Sequence, residues 1–230
     1  MEARAPNPEA AAALDRLQQF AFPEGRAAPK AVVIGQAGEM CLAPRRRWLA
    51  FTAIQHFDAL GAGFVWTARF HLLGVQLQVT DAFEAGRGST RLRIFGVLPV
   101  SRARGPAIDQ GAAMRGLAEL IWHPAAFVPH PHLTWDRTGS GFLRATYNDG
   151  RTRAAVDFQL GAEGQVIAVS APNRPYLAGK RVVERPWSGR VYEYTRFGVM
   201  RLPARAEASW LLPEGEFTYF RARVTDARAV

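Results

Sequence analysis

Cysteine is almost absent from the sequence, and so is any long apolar run. Cys41 is the only cysteine, so an intramolecular disulfide is excluded, and we expect a small buried hydrophobic role for it. No window approaches the ~20 apolar residues of a membrane span. The first residues, MEARAPNPEAAAALDRL, hold acids and prolines where a secretion signal needs a basic start and an apolar core. We therefore expect a soluble, cytoplasmic protein without a transmembrane segment.

Lysine is also scarce, although the chain is strongly basic. Lys30 and Lys180 are the only lysines, yet the formal net charge is +9, so arginine supplies nearly all of the positive charge. The arginines are dispersed, and residues 45–47 form the only run of three. A nucleic-acid interface normally clusters its basic side chains in a stripe or a recognised motif, and the sequence has neither. The charge therefore does not predict a nucleic-acid partner.

The motifs of common nucleophilic and nucleotide-binding sites are missing as well. There is no G-x-S-x-G segment, and GRGST at 86–90 lacks the lysine and helix of a phosphate-binding loop. Glu119, His123, His130 and His132 remain as candidates for chemistry. An H-x-H pair can offer two imidazoles to zinc, but prolines bracket His130 and favour an exposed loop. We expect no metal and no cofactor. A hydrolase-type or metal-dependent enzyme is kept as an alternative that requires Glu119 and the histidines to converge.

From Ala31 onward, apolar and polar residues alternate in many short segments. This period of two is typical of β-strands. The segment NDG at 148–150 predicts a hairpin turn, and PNRPYLAGK at 172–180 is a looser segment between two predicted strands. The predicted strands include Gly63–Leu73, Val75–Phe83, Ser89–Val97, Gly141–Tyr147, Arg151–Leu160, Gln165–Ala171, Arg181–Glu184, Arg190–Arg196, Ala204–Leu212 and Phe217–Thr225.

Two segments depart from this alternation. Pro8–Phe20 predicts a short helix that ends before Gly25, and Ala107–Pro129 predicts one central helix, with Asp109 as its cap. An apolar stripe along the central helix should face the sheet: Ala113, Met114, Leu117, Ala118, Leu120 and Ile121. The other side should be solvated, with an exposed Arg115–Glu119 pair: Ala112, Arg115, Gly116, Glu119 and His123.

The order of these elements predicts a mainly β protein. About a dozen strands without βαβ alternation favour a strongly curved antiparallel sheet, a half-barrel or open barrel, with the central helix packed in its concave face. We expect one domain over residues 1–230. Its parts are an N-terminal helix and linker at 1–28, first strands at 31–100, the central helix at 107–129 and the remaining strands at 133–226.

The stretches GPAIDQGAAMRGLAELIWHPAAFVP (105–129) and PWSGRVYEYTRFGVMRLP (186–203) resemble a bacterial family of unknown function. That resemblance extends from about Val32 to Asp226. The strand–turn–strand with Gly198 and Leu202-Pro203 is also similar, more loosely, to the half-barrels of lipoprotein-localisation factors and related lipid carriers. This second resemblance implies a curved sheet around helices with an apolar cavity between them.

The six tryptophans lie on or beside predicted elements, where they either fill the interior or border such a cavity. On the second interpretation, Trp66, Phe70, Trp122, Phe127 and Trp210 line the cavity. Trp187, Tyr192 and Tyr194 then form a rim with Arg190, whose guanidinium meets an anionic head group. The leading hypothesis is non-catalytic binding of an apolar or amphipathic small molecule of lipid or fatty-acyl type. A protein-interaction module is the third hypothesis, and it predicts an exposed apolar patch or an unprotected sheet edge.

Overall fold

The structure, a computed structural model, describes residues 5–25, 31–58 and 61–230. Its two α-helices are α1 (Pro8–Ala21) and α2 (Pro106–Ala118), and α2 is followed by 3₁₀ turns at Glu119–Trp122 and Pro124–Ala126. The thirteen strands are β1 Val32–Cys41, β2 Trp48–Phe57, β3 Phe64–Leu72, β4 Val75–Glu84, β5 Arg87–Ile94, β6 Leu98–Ala103, β7 Leu133–Gly139, β8 Phe142–Asn148, β9 Arg153–Leu160, β10 Val166–Ala178, β11 Arg181–Phe197, β12 Met200–Leu212 and β13 Gly215–Ala229.

All thirteen strands belong to one antiparallel sheet, in the order β6-β5-β4-β3-β2-β1-β13-β12-β11-β10-β9-β8-β7. The first and last strands pair in the middle, so β6 and β7 form opposite edges. The segment between Ala103 and Leu133 contains α2 and joins these two edges. The lone central helix is therefore the crossover from one edge of the sheet to the other.

The contacts of α2 show how strongly the sheet bends. The helix packs against β4 and β5 near one edge and against β8, β9 and β10 near the other. A flat sheet would hold these two groups of strands far apart, because neighbouring strands are ~4.8 Å apart. The sheet therefore wraps around α2 as a half-barrel with the helix in its concavity, and the predicted fold is confirmed.

Two glycines allow α2 to lie close to its neighbours. A Cβ at Gly88 on β5 would lie 2.5 Å from the carbonyl oxygen of Ile108, and a Cβ at Gly116 would overlap the carbonyl of Ala62. The carboxylate of Asp109 accepts a hydrogen bond from the Gly88 amide, with 2.7 Å between Oδ1 and N. The helix is thus fixed to β5 by backbone approach and by one charge-assisted hydrogen bond.

Several predictions about local structure need correction. The central helix ends at Ala118, not Pro129, and its N-cap is Gly105 with Pro106 at the first helical position, so Asp109 does not cap it. The looser segment at 172–180 is mostly regular strand, because β10 continues to Ala178 and forms one long hairpin with β11. An additional strand, β6, follows the predicted strand at 89–97. The predicted linker after α1 falls partly on residues 26–30, which lie outside the described residues.

The predicted apolar stripe of α2 is buried, but the predicted solvated side is wrong. Gly116 and His123 are buried, and Arg115 and Glu119 have side chains only 17% and 14% exposed. The sheet covers the helix on two sides, so little of the helix surface is left for water. The Arg115–Glu119 pair is therefore a mostly buried pair.

Candidate ligand-binding cavity

A cavity of about 370 Å³ lies between α2 and the concave face of the sheet. The α2 side of its wall consists of Ala107, Ile108, Gly111, Ala112, Arg115 and Ala118. Four of these six side chains are no larger than a methyl group, so the helix fills little of the space in front of it. The sheet side includes five aromatic residues, Phe64, Trp187, Trp210, Tyr219 and Phe220. The wall is mostly apolar.

A charge cluster centred on Arg115 occupies one part of the wall. Its guanidinium binds Asp81 on β4 (2.8 Å) and Glu119 (2.9 Å), and it lies over the rings of Phe64 and Trp66. The other oxygen of Glu119 accepts a hydrogen bond from Gln55 at 2.6 Å. Burial opposes the charge of Arg115, but Glu119 and Asp81 together outweigh burial and raise its pKa. This cation is therefore fully charged and already neutralised by two carboxylates.

The strand register explains how this polar cluster forms inside an apolar sheet. Gln55, Trp66, Asp81 and Thr90 are successive register partners across β2, β3, β4 and β5. They therefore form one row across the concave face, next to Arg115 and Glu119 of the crossover segment. The indole of Trp66 donates a hydrogen bond to Gln36 Oε1 at 2.9 Å, so its polar edge is satisfied behind the wall.

A second arginine, Arg174 on β10, is buried in another part of the wall. Its guanidinium lies over the rings of Trp187 (4.6 Å) and Trp210 (5.4 Å), which are register partners on β11 and β12. Its Nη2 donates one long hydrogen bond of 3.4 Å to the carbonyl oxygen of Gly111. Within the described residues, no carboxylate lies within ion-pair distance of Arg174. It differs in this respect from Arg115.

No sequence pattern marks Arg174, Arg115 or Asp81 as site residues. Arg174 lies in the segment 172–180, where one extra residue on β10 shifts the register between Ala171 and Arg174. The alternation of buried and exposed residues therefore fails there. The buried positions are 169, 171 and then 174, where a regular strand would have 173. In the sequence, the only sign of this bulge is an arginine that lies between two prolines and two apolar stretches.

Four of the nine predicted ligand-binding residues line the cavity: Trp122, Trp187, Arg190 and Trp210. Trp122 donates its indole N–H to the Pro203 carbonyl at 3.0 Å, which holds the 3₁₀ turn against β12. Arg190 is 58% exposed and forms a 3.4 Å ion pair with Glu216, so it lies at the rim. The structure brings these four together, and their role in ligand binding stays a prediction.

The other five predicted residues lie outside the cavity wall. Trp66 is fully buried behind Arg115, and Phe70 packs on Phe51. Phe127 packs between Trp135 and Phe158 in the core. These three aromatic side chains fill the interior of the sheet.

The two predicted rim tyrosines are separated from the cavity. Tyr192 is 40% exposed. Tyr194 packs edge-on against Phe20 of α1 and donates its hydroxyl hydrogen to the Val166 carbonyl at 2.8 Å. Burial raises the pKa of Tyr194, which keeps this phenol neutral. Neither tyrosine is a register neighbour of the Trp187–Trp210 pair.

The predicted histidine chemistry has little support in the geometry. Glu119 binds Arg115 and Gln55, whereas His123 is buried and stacks on Phe57. His130 and His132 are half-buried, not exposed, and their rings lie 5.7 Å apart. Burial and the neighbouring His132 lower the pKa of His130. In the part of the chain that the structure describes, no three His, Cys, Asp or Glu side chains are placed to hold a metal ion.

An exposed apolar patch, which the third hypothesis requires, lies at two hairpin tips. The β3–β4 tip exposes Leu73 (93%), and the β5–β6 tip exposes Phe95, Val97 and Leu98. The two tips adjoin, because the Phe95 amide donates a hydrogen bond to the Gln76 carbonyl at 2.8 Å. A protein partner for this patch stays a prediction.

The profile of a family of unknown function, DUF6544, matches residues 13–222. The chain belongs to this family. All the cavity-lining residues named above fall inside the DUF6544 match. No curated protein matches the sequence significantly.

Solved structures with a similar fold share little sequence with this DUF6544 member. A putative outer membrane lipoprotein-sorting protein domain from Vibrio parahaemolyticus is 10% identical, with a TM-score of 0.52 over 95% of this chain and 92% of that chain. A DUF1329 family protein from Desulfovibrio piger is 10% identical, with a TM-score of 0.53 over 96% and 92%. A LolA superfamily protein from Nitrosomonas europaea aligns over 96% and 93% at 10% identity, with a TM-score of 0.48. At such identity the first two likenesses show the fold alone, and they confirm the half-barrel resemblance.

Neither α1, with 14 residues, nor α2, with 13, is long enough to cross a bilayer, and no helix in the described ranges combines the necessary length and apolar character. The cytoplasmic location stays a prediction.

Proposed function

We propose that this DUF6544 protein binds one apolar or amphipathic small molecule, of lipid or fatty-acyl type, in the cavity between α2 and the curved sheet. The observation that carries the proposal is the cavity itself, with a volume of about 370 Å³ and a mostly apolar wall. Ligand sites usually measure ~300–1,000 Å³ and combine an apolar lining with a few polar groups. The fold, which the lipoprotein-sorting protein domain shares, is compatible with this role.

The size of the cavity limits the ligand. Because its volume lies near the lower end of the usual range, a single acyl chain fits this site better than a lipid with several chains. The aromatic wall favours such a ligand through burial of apolar surface, at about 25 cal/mol per Å². The ligand therefore gains affinity mainly from its tail.

The test is binding of a fluorescent fatty acid, together with solvent extraction and mass spectrometry of the purified protein. We expect co-purified lipid or displaceable probe binding. The matched variants are Gly111→Leu and Gln110→Leu, which introduce the same side chain at adjacent positions of α2. A Cβ at Gly111 meets open space in the cavity wall, whereas Gln110 lies outside that wall.

Gly111→Leu should fill the cavity and weaken probe binding by at least ~10-fold, the loss that 1.4 kcal/mol produces. Gln110→Leu should bind like the wild type. Absence of both lipid and probe binding in the wild type would contradict the proposal. Equal binding by the Gly111→Leu variant and the wild type would also contradict it, because the probe would then occupy another site.

A further inference from the structure

We propose that Arg174 binds an anionic, oxygen-bearing head group, so that the ligand class is single-chain amphiphiles with a carboxylate or similar oxyanion. This inference rests on the proposed function and specifies the ligand of the same site. The predicted head-group residue was Arg190, and the contacts of the two arginines argue for Arg174 instead.

The pairing of charges around the cavity leaves Arg174 as the cation without a carboxylate. Asp81 and Glu119 bind Arg115, at 2.8 and 2.9 Å. Glu207 binds Arg221 at 3.3 Å, and Glu216 binds Arg190 at 3.4 Å. Among the described charged residues of the wall, only Arg174 has no acidic partner.

The burial of Arg174 makes this lack of a partner costly. The residue is only 9% exposed, and a guanidinium carries a full positive charge and five N–H donors. A buried charge is normally paired, because its removal from water is costly unless an opposite charge or hydrogen bonds compensate it. The long bond to the Gly111 carbonyl uses one N–H of the five that a guanidinium carries. An oxyanion in the cavity would compensate the remaining charge.

The contacts of Arg174 with the protein leave most of its N–H donors for such a group. The guanidinium carbon of Arg174 lies over the rings of Trp187 and Trp210, and these cation–π contacts use none of its N–H groups as hydrogen-bond donors. The N–H donors project in the plane of the guanidinium, along its edge, and a planar fork of donors matches a carboxylate in bidentate fashion. Arg190 offers a weaker site, since it is largely exposed and bound to Glu216.

The experiment measures affinity for ligands that share a sixteen-carbon chain and differ only in head group: palmitate, hexadecanol, hexadecyl phosphate and a hexadecyl trimethylammonium salt. The wild type should prefer palmitate to hexadecanol by at least ~10-fold, the lower range for a hydrogen bond to a charged group. The affinity for hexadecyl phosphate distinguishes a carboxylate-specific site from a general oxyanion site. Either result supports the proposal, provided that hexadecanol and the trimethylammonium salt bind more weakly than palmitate.

The variants are Arg174→Gln and, as the control at the rim, Arg190→Gln. Arg174→Gln should abolish the preference for palmitate and leave the affinity for hexadecanol within ~3-fold, because the alcohol does not need a cation. Arg190→Gln should keep the preference. If Arg174→Gln does not fold, Arg174→Lys, which keeps the charge but loses the planar fork, should reduce the preference.

The outcomes separate this inference from the function on which it rests. If no ligand of the series binds the wild type, the proposed function fails. If palmitate and hexadecanol bind the wild type equally, the lipid site stands and the role of Arg174 is overturned. A preference that persists in Arg174→Gln but disappears in Arg190→Gln would move the head group to the rim and also overturn the inference.

Discussion

Arg115 of α2 and Asp81 of β4 form an ion pair with 2.8 Å between Nη1 and Oδ2, and this pair ties the crossover helix to the sheet. Glu119 binds the same guanidinium from the next turn of the chain. The three side chains are 17%, 25% and 14% exposed, so the cluster is mostly removed from water. Removal of its cation would leave two carboxylates next to each other in a mostly apolar wall.

Arg115→Met should therefore lower the free energy of unfolding by about 3 kcal/mol, the lower range for breaking a buried ion pair. Urea denaturation measures the change. Arg196→Met is the control, since Arg196 and Glu24 form an ion pair of 2.6 Å with side chains 52% and 66% exposed. An exposed pair contributes at most ~1 kcal/mol. Equal losses in the two variants would contradict the importance of the Arg115 cluster.

The two glycines of α2 offer a comparison within one helix. Gly116→Ala should destabilise the protein by ~1–3 kcal/mol, because the new methyl group overlaps the Ala62 carbonyl and the helix must move away from it. Gly111→Ala should be neutral or stabilising by up to ~1 kcal/mol, because alanine favours the helix and the methyl group meets open space. Thermal unfolding of both variants checks the prediction. A Gly116→Ala variant as stable as Gly111→Ala would show that α2 does not pack closely at Ala62.

The strands could be predicted from the sequence because the alternation of apolar and polar residues indicates which face of a strand is buried. On β3, Phe64, Trp66, Ala68 and Phe70 are buried while the residues between them are less so. The hairpin at NDG was equally clear, since Gly150 has φ of +86° and the Asp149 carboxylate accepts hydrogen bonds from the amides of Arg151 and Thr152. These features depend on neighbours in the sequence or on one face of one strand.

The site could be predicted only in part, because it depends on distant strands. The four-residue spacing of Arg115 and Glu119 is typical of an exposed helical pair, and nothing near them in the sequence shows that β4 supplies Asp81. Arg174 turns inward because of a bulge, which breaks the alternation on which the strand predictions relied. The empty volume beside α2 is set by the curvature of thirteen strands together.

Tyr147 gives a prediction at alkaline pH. Burial, the charge of Asp149 and the hydrogen bond to Asp149 raise the pKa of Tyr147 to about 12. An unfolded tyrosine has a pKa of about 10. Its contribution to stability is therefore fully present below about pH 10 and is lost as the pH rises from about 10 towards 12, because the unfolded chain releases the proton first.

In Tyr147→Phe, the free energy of unfolding should fall less steeply over this pH interval than in the wild type. The phenyl ring keeps the edge-on contact with Phe83, 5.2 Å between centroids, so the packing is retained. Urea denaturation at several pH values measures the slope. Tyr192→Phe, at an exposed position, is the control and should keep the wild-type slope. Identical slopes for the wild type and Tyr147→Phe would contradict the raised pKa of Tyr147.

Ligand binding should also be visible as a gain in stability. A ligand that binds only the folded state at 100 times its Kd stabilises that state by about 2.7 kcal/mol. For a chain of this length each 1 kcal/mol raises Tm by ~2–4 °C, so saturation with palmitate should raise Tm by roughly 5–10 °C. Removal of any co-purified lipid should lower Tm by a similar amount, and differential scanning calorimetry measures both changes.

The Gly111 and Gln110 variants show whether this gain comes from the cavity. Gly111→Leu should show at most about half of this rise with palmitate, because its side chain occupies the space in front of α2 and a ~10-fold weaker affinity reduces the gain to about 1.4 kcal/mol. Gln110→Leu should show the full rise. Binding of a fatty acid to exposed apolar surface, such as the hairpin tip at Leu73, would not depend on residue 111. A rise in Tm of the same size in both variants would therefore place the ligand on the surface and contradict the cavity as its site.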